Sequence, residues 1–307
     1  MDQRNFSGVI APVVTPFGDD GAPDVDRFVS HAAWLLQDGC TGLAPFGTTS
    51  EANSLGLDER MDLLEELVED GIDAAKLMPG TGTCSVSDTV ILTQHAVDIG
   101  CGGVLMLPPF YYKGPSEEGL FRYFAEVIDG VNDENLKIYL YHIPPVAQVG
   151  FSLPLIARLR KEFPGIVVGL KDSSGDWANT KAILDANPGF EVFPGSEAFL
   201  LDGLRNGSAG CISATANVSA KAMRALFDDW KGPDADKRQA EITALRKAMQ
   251  AFPMIPVLKA LIAHYRGDPG WARVRPPFTD LPAAEAEKAV RTLAEAHGFK
   301  LNFAEAA

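Results

Sequence analysis

The sequence predicts an α/β fold, a (β/α)8 TIM barrel followed by a C-terminal helical appendage. Eight short apolar runs recur along the chain, and each is followed by turn residues and then by a helical pattern of apolar residues. Regular alternation of this kind implies a parallel sheet, and eight units is the count of the barrel. After the eighth unit only helical patterns remain. We therefore divide the chain into a barrel, residues 1–232, and a helical subdomain, residues 233–307.

The predicted strands are residues 8–14, 42–46, 75–78, 103–107, 137–141, 166–171, 190–193 and 209–213. Helical patterns between them, several of which end at a glycine, cover residues 25–36, 57–68, 88–99, 116–127 and 177–186 and stretches that begin near 153 and 219. The appendage is predicted to hold helices over 242–249, 256–265 and 283–293 and a frayed tail over 304–307. A doubly wound open sheet is the rival fold. Its first turn would be rich in glycine for a nucleotide, and residues 15–18 are not.

Composition narrows the class of partner. The 307 residues are 46% hydrophobic and 22% charged, as in an ordinary globular protein with a sizeable core. A net charge of −14 argues against nucleic acid and anionic membrane as partners. We expect no membrane span, because no apolar run reaches the roughly 18 residues it needs. The first residues lack a signal-peptide pattern, which favours the cytoplasm. Four scattered cysteines are interpreted as buried thiols, not as disulfides or a zinc site: Cys40, Cys84, Cys101 and Cys211.

The sixth predicted strand ends in a lysine that is a candidate nucleophile. Lys171 follows a run of β-branched and apolar residues and precedes the turn residues 172–175. Its stem would lie in the core and its amine at the mouth of the barrel. A partly desolvated amine is more often neutral and nucleophilic, as imine formation with a carbonyl substrate requires. The alternative is a lysine that extends to solvent at a strand end.

Active sites of such barrels lie at the carboxyl ends of the strands, and that rule brings further residues to the same pocket. They share hydroxyl groups or backbone amides on glycine-containing turns: Thr48, Thr49, the 80–83 turn, Tyr111, Tyr112, Tyr141, Gly195–Glu197 and 213–217. We predict no metal site, because these residues lack a His/Asp/Glu set with metal spacing. Imine chemistry fits, with a phenol relaying protons while hydroxyls and amides hold a carboxylate.

Structural interpretations of the same residues stay open. Tyr141 could be a core tyrosine, and the 47–51 turn could be only a helix cap. His142 could polarise a substrate oxygen or simply be a satisfied loop histidine. Glu51 and Glu197 are interpreted as structural acceptors at loop starts.

Four motifs in order resemble those of the dihydrodipicolinate synthase/N-acetylneuraminate lyase family of class I, pyruvate-dependent aldolases. They are Gly47-Thr48-Thr49-Ser50-Glu51, Tyr141-His142-Ile143-Pro144, Gly169-Leu170-Lys171-Asp172 and Gly210-Cys211-Ile212-Ser213 with Asn217. Each motif is weak alone, whereas the set is specific and extends the similarity over nearly the whole chain. The form of the second motif is nearer the lyase and keto-deoxy-sugar aldolase branches than true dihydrodipicolinate synthase.

The resemblance implies roles for individual residues. Lys171 resembles the family's Schiff-base lysine, and Tyr141 matches the tyrosine that relays protons. Thr48 and Thr49 match the positions that hold the pyruvate carboxylate, and Thr48 also joins the relay.

The resemblance also implies an assembly. Tyr112, or Tyr111 less readily, matches a tyrosine that is inserted from a neighbouring subunit, and Ile212 matches a residue that lines the pyruvate pocket. A homotetramer built as a dimer of dimers is implied, without metal or organic cofactor.

Two departures from the family pattern affect substrate choice. Ser50 stands where the family usually has glycine. The stretch 142–148 lacks the arginine by which dihydrodipicolinate synthases grip aspartate semialdehyde. Because a carboxylate clamp contributes about 2–5 kcal/mol, its loss disfavours that substrate. Together with Gly195, Ser50 and His142 are expected to shape the substrate pocket.

The predicted activity is therefore a Schiff-base lyase or aldolase that acts on pyruvate or on a 2-oxo acid that yields pyruvate. Alternatives within the enzymes are 4-hydroxy-tetrahydrodipicolinate synthase and a 2-keto-3-deoxy acid dehydratase. A non-catalytic 2-oxo-acid-binding relative is the alternative from another class, and a nucleotide-binding oxidoreductase is weaker for want of a glycine-rich fingerprint.

Overall fold

Parallel strands form a closed barrel in the computed structural model, which describes residues 4–303. The strands are β1 Gly8–Ala11, β2 Gly42–Leu43, β3 Val104–Met106, β4 Ile138–His142, β5 Val167–Asp172, β6 Glu191–Pro194 and β7 Gly210–Ile212. They pair in the orders β2–β1–β7 and β3–β4–β5–β6. The pairing of β4 with β5 places Tyr141 opposite Lys171.

Backbone hydrogen bonds outside the regular strands join these two groups into one ring. Between β2 and β3 lies the segment 77–81, where Met78 N donates to Leu43 O at 2.8 Å and Leu105 N donates to Pro79 O at 2.9 Å. On the other side, Ala209 N donates to Val192 O at 2.9 Å and so links β6 to the start of β7. Segment 77–81 therefore serves as the eighth stave, and the predicted barrel is confirmed.

Helices surround the barrel and extend beyond it. They are α1 Val25–Gln37, α2 Leu57–Glu69, α3 Val86–Ile99, α4 Glu117–Val131, α5 Pro144–Ala147, α6 Leu153–Glu162, α7 Trp177–Ala186, α8 Leu200–Arg205, α9 Ala216–Asp228, α10 Ala235–Met249, α11 Met254–Arg266 and α12 Ala283–His297. Local side-chain chemistry marks the start of α4, where the Ser116 hydroxyl accepts a hydrogen bond from Gly119 N as an N-cap residue does. Gly100 ends α3 in the left-handed conformation.

Two clusters of buried hydrophobic residues form the core of the protein. The smaller one fills the barrel interior with Ile10, Met78, Leu105, Tyr139 and Phe193. The larger one lies between the strands and the helices and continues into α11 and α12. The appended helices therefore share the core of the barrel.

Several element predictions need correction. Residues 75–78 do not form a strand: residues 74–76 make a 3-10 turn in which Asp73 accepts from Ala75 N, and only isolated bridges follow. Pro79 cannot donate to a ladder. Helix α10 begins at Ala235 rather than at 242, because its first two turns are mostly polar and carry little apolar periodicity. Helix α8 was not predicted. The tail 304–307 lies outside the described residues.

The cysteine prediction holds only in part. Cys40 and Cys211 are buried thiols, but Cys84 is exposed and Cys101 is half-buried. All four are free. Within residues 4–303, no helix is long and apolar enough to cross a membrane.

Candidate active site

Lys171 and Tyr141 meet at the carboxyl ends of β5 and β4. Their backbones are direct partners in the parallel ladder, so both side chains project to the same side of the sheet. Lys171 Nζ lies 4.2 Å from the centre of the Tyr141 ring, and both residues are buried. The strand pairing thus presents an amine and a phenol together at one end of the barrel.

Two lysines are buried in the described part of the chain, and they differ in their partners. Lys259 is fully buried and its Nζ donates to Glu51 Oε1 at 2.7 Å. Lys171 is 4% exposed, and within residues 4–303 it forms neither a salt bridge nor a hydrogen bond through its amine. A buried cation is normally paired. The unpaired amine of Lys171 instead faces a cavity, which is the arrangement of a reactive group.

The 47–51 turn brings two threonines to the same place. Thr48 Oγ1 lies 3.2 Å from Tyr141 Oη, so the two hydroxyls share a hydrogen bond. Thr49 is buried beside Thr48 and also lines the cavity. Glu51 takes the left-handed backbone conformation, with φ of 59°. The turn therefore requires an unusual conformation at Glu51, which must be held in place.

Glu51 is held by the appended helices. Besides the bond from Lys259 on α11, its Oε2 accepts from Arg275 N at 2.8 Å. Burial lowers the pKa of Lys259 to about 8, and the nearby Glu51 carboxylate opposes that shift. The C-terminal subdomain thus fixes the turn that carries Thr48 and Thr49.

A cavity of about 440 Å³ opens over these groups. Its lining comprises Thr48, Thr49, Tyr141, Ile143, Pro145, Val146, Lys171, Asp172, Ser173, Gly175, Gly195, Ser196, Phe199, Ala214, Arg246, Gln250, Phe252 and Met254. The volume suits a small molecule. Gly195 allows its loop to approach the loop of Ser173 closely, because a Cβ at position 195 would lie 2.1 Å from Ser173 Oγ.

Comparison with known proteins places the chain in a family. The model of the dihydrodipicolinate synthetase family matches residues 5–296. The chain belongs to that family. A DapA-like lyase of Chloroflexus aurantiacus is 34% identical over 83% of this chain and 85% of its own length. A 4-hydroxy-tetrahydrodipicolinate synthase of Rhizobium meliloti is 35% identical over 70% of this chain and 72% of its own length.

Solved structures agree. Dihydrodipicolinate synthase from Agrobacterium tumefaciens superposes with a TM-score of 0.88 at 33% identity, covering 94% of this chain and 99% of that one. YagE of Escherichia coli, a family member solved in complex with pyruvate, gives a TM-score of 0.87 at 26% identity over 96% and 99% of the two chains. The chain is thus a carbon–carbon lyase of the dihydrodipicolinate synthetase family. The expected class, an imine-forming lyase or aldolase acting on a 2-oxo acid, is confirmed.

Four predicted site residues of this family member do not line the cavity. Tyr112 is 78% exposed and stacks edge-on against Tyr111, at the surface. Ile212 is buried in the barrel interior, and Ser50 is buried beneath the turn, where its Oγ has no partner among the described residues. His142 is buried, and its Nδ1 accepts from Phe151 N at 3.0 Å. Burial lowers the pKa of His142, opposed by Asp172.

Sequence reasoning missed the wall that the subdomain supplies. Arg246 of α10, the C-cap residue Gln250, Phe252 and the first residue of α11, Met254, all line the cavity. The helical pattern predicted that 242–249 would be helical, but nothing in it indicated which residues would face the barrel. No signal in the sequence separates Arg246 from the other cations of α10, which are Lys237, Arg238 and Lys247.

Proposed function

We propose that the chain is a class I aldolase or lyase in which Lys171 forms an imine with pyruvate or with a 2-oxo acid that yields pyruvate. The main support is that Lys171 is buried, lines a cavity and lies against the ring of Tyr141, while its amine has no partner among residues 4–303. An amine without a carboxylate partner is available to attack a carbonyl carbon.

The proposed reaction balances without a metal or an organic cofactor. The Lys171 amine adds to the keto carbon, and the carbinolamine loses water to give the imine. Loss of a proton from C3 then gives an enamine, which attacks an aldehyde to form the carbon–carbon bond. In the cleavage direction the same steps run backwards, and the imine accepts the electron pair of the broken bond. Hydrolysis of the final imine frees Lys171.

Tyr141 and Thr48 are assigned the proton transfers, because their hydroxyls are hydrogen-bonded beside the amine. Thr49, together with Thr48, is assigned the carboxylate of the 2-oxo acid. Gly195 gives the cavity its shape.

Three further residues keep proposed roles that do not depend on a place in the cavity lining. Ile212 is assigned to the apolar layer of the barrel interior that supports the pocket, and Ser50 is assigned to the shape of the turn. His142, the last residue of β4, is assigned to the placement of the loop that follows it and that orients the aldehyde.

We also propose a homotetramer, a dimer of dimers, that acts in the cytoplasm. Tyr111 and Tyr112 form an exposed aromatic pair at the surface, as expected of residues that contact a neighbouring subunit. In this assembly Tyr112 reaches the neighbour's active site and extends its proton relay. The four free cysteines fit a reducing compartment.

A second candidate is 4-hydroxy-tetrahydrodipicolinate synthase, which joins pyruvate to aspartate semialdehyde. The name of the Rhizobium meliloti relative favours it. The stretch 142–148, which contains no arginine, counts against it.

Hydrogen exchange at C3 of pyruvate tests the imine and enamine directly. In D2O the protein should exchange the methyl hydrogens of pyruvate, followed by proton NMR, and Lys171→Ala should abolish the exchange. Lys181→Ala is the matched control, because Lys181 is an exposed lysine paired with Asp185 and should leave the rate unchanged. No exchange by the folded protein, or equal exchange by Lys171→Ala, would overturn the proposal.

A further inference from the structure

One cation of the cavity wall comes from the helical subdomain and not from a strand end. Arg246 lies in the last turn of α10, and its side chain is 13% exposed. It lines the same cavity as Lys171. The third charged residue of the lining is Asp172, whose carboxylate already accepts from Ser174 N and from the Thr180 hydroxyl. The cavity wall therefore holds one guanidinium, the amine of Lys171 and one carboxylate that is already occupied by Ser174 and Thr180.

Arg246 is anchored on one side by a buried network. Its Nη1 donates to Glu197 Oε2 and to Ser213 Oγ, both at 2.9 Å. Glu197 is buried and also accepts from the hydroxyls of Ser213 and Thr215, so its charge is spread over three donors. This network fixes the plane of the guanidinium before any ligand arrives.

The other side of the guanidinium remains available. Among residues 4–303, Nε and Nη2 of Arg246 donate to no protein group, and the residue borders the cavity. Nε and Nη2 are the two nitrogens that bind a carboxylate side-on through parallel hydrogen bonds. Much of the surrounding wall is apolar, including Val146, Phe199 and Phe252, which strengthens such a charge-assisted contact.

We propose that Arg246 is a specificity-determining residue that binds a second carboxylate of the substrate. This inference rests on the imine proposed above. With the first carboxylate on Thr48 and Thr49 and the keto carbon joined to Lys171, the chain that leaves C3 must lie in the same cavity, whose wall includes Arg246. The preferred substrates are then 2-oxo acids whose far end is anionic.

The competing interpretation is that Arg246 only pins α10 to the barrel through Glu197. That role would affect stability and would be indifferent to the charge on the far end of the substrate. The quantity that distinguishes the two roles is therefore the ratio of the half-saturating concentrations of two ligands of equal length, one with a second carboxylate and one without.

Borohydride trapping of imines supplies this ratio without any need for turnover. The fraction of protein carrying a reduced adduct, read by intact mass, is followed against the concentration of 2-oxoglutarate and of 2-oxopentanoate, which has a methyl group where the second carboxylate stands. The pair 2-oxoadipate and 2-oxohexanoate tests a chain one carbon longer. We expect at least one dicarboxylate to half-saturate at a concentration about tenfold lower than its match. Arg246→Gln should reduce that preference to about twofold or less, and Arg246→Lys should retain part of it.

Two control variants keep the test decisive. Arg238→Gln makes the same change on the same helix at a residue outside the cavity, which contacts Ala225 O, and should leave the preference intact. If Arg246→Gln fails to fold because Glu197 loses its partner, the double variant Arg246→Gln, Glu197→Gln keeps the buried network neutral.

The outcomes separate this inference from the proposed function. No pyruvate adduct in the folded wild type would overturn the imine and this assignment together. A pyruvate adduct without dicarboxylate preference, or a preference that survives both Arg246→Gln and the double variant, would overturn only the role of Arg246.

Discussion

At the scale of the residue, the site depends on which buried groups are paired. Lys171 faces the cavity with no partner among the described residues, whereas Lys259 is neutralised by Glu51. This contrast supports the proposed reactive role of Lys171 and a structural role for Lys259. Tyr141 and Thr48 add a hydroxyl pair at the amine.

Tyr141→Phe tests the assigned proton relay. Removing the hydroxyl should slow C3 exchange of pyruvate by about 10²- to 10⁴-fold, the usual contribution of one positioned acid–base group. The aromatic contact with Lys171 is kept, so the folded state should be unaffected. Exchange rates measured by NMR that fall less than threefold, with circular dichroism unchanged, would remove Tyr141 from the relay.

His31 should make the protein sensitive to acid. It is fully buried between Trp34 and Trp271, and burial together with Arg266 lowers its pKa to about 3. The unfolded chain protonates this histidine near pH 6.5, whereas the folded protein does not until about pH 3. Between these values the unfolded state binds more protons, so stability is lost as the pH falls below 6.5.

His31→Phe removes this titration while keeping an aromatic ring. As the pH falls from 6 to 4, the free energy of unfolding of the wild type should decrease by up to roughly 1.4 kcal/mol per pH unit more than that of the variant. Urea unfolding across that range measures the difference. Parallel pH profiles for the two proteins would contradict the assignment.

At the scale of the element, helices α10 and α11 complete a site that the strands only begin. Helix α11 holds the 47–51 turn through Lys259, and α10 supplies Arg246 to the cavity wall. Both contacts are made by buried or nearly buried ion pairs. Such pairs contribute more to a defined geometry than to net stability.

Variants of the Lys259–Glu51 pair test how much a buried ion pair contributes to stability. Lys259→Met leaves a buried carboxylate short of its partner and should destabilise the protein by about 3–5 kcal/mol. The double variant Lys259→Met, Glu51→Gln should recover most of that loss, because no uncompensated charge remains. Chemical denaturation of the three proteins gives the comparison, and equal destabilisation of the single and double variants would contradict it.

At the scale of the whole molecule, we propose that residues 1–232 and 233–307 are a barrel and a subdomain that form one folding unit. The appended helices share the main hydrophobic cluster. Arg275 also forms a bidentate salt bridge with Glu59 on α2. Separation would therefore expose apolar surface and leave buried charges unpaired.

A chain truncated after residue 232 is accordingly expected not to fold. Far-UV circular dichroism and thermal unfolding should show no cooperative transition, whereas co-expression with a second chain of residues 233–307 should restore it. A truncated barrel that unfolds cooperatively would show that the two parts are independent.

The sequence allowed the barrel and the strand-end residues to be predicted because both rest on local patterns. Apolar runs and turns located seven strands, and the rule that sites lie at the carboxyl ends brought Lys171, Tyr141 and Thr48 together. The strand predicted over 75–78 only approximated segment 77–81, because the bridging hydrogen bonds of that segment depend on neighbours that are distant in sequence. The place of Arg246 in the cavity wall was not predicted for the same reason: it is decided by how α10 packs on the barrel.

Trapping with pyruvate and borohydride, followed by peptide mapping, would show whether Lys171 forms the imine. We expect one reduced pyruvate adduct for each chain, on Lys171, and none in Lys171→Ala. A folded protein that binds pyruvate reversibly but yields no adduct, or an adduct on another lysine, would contradict it. The former result would indicate a non-catalytic 2-oxo-acid-binding member of the family.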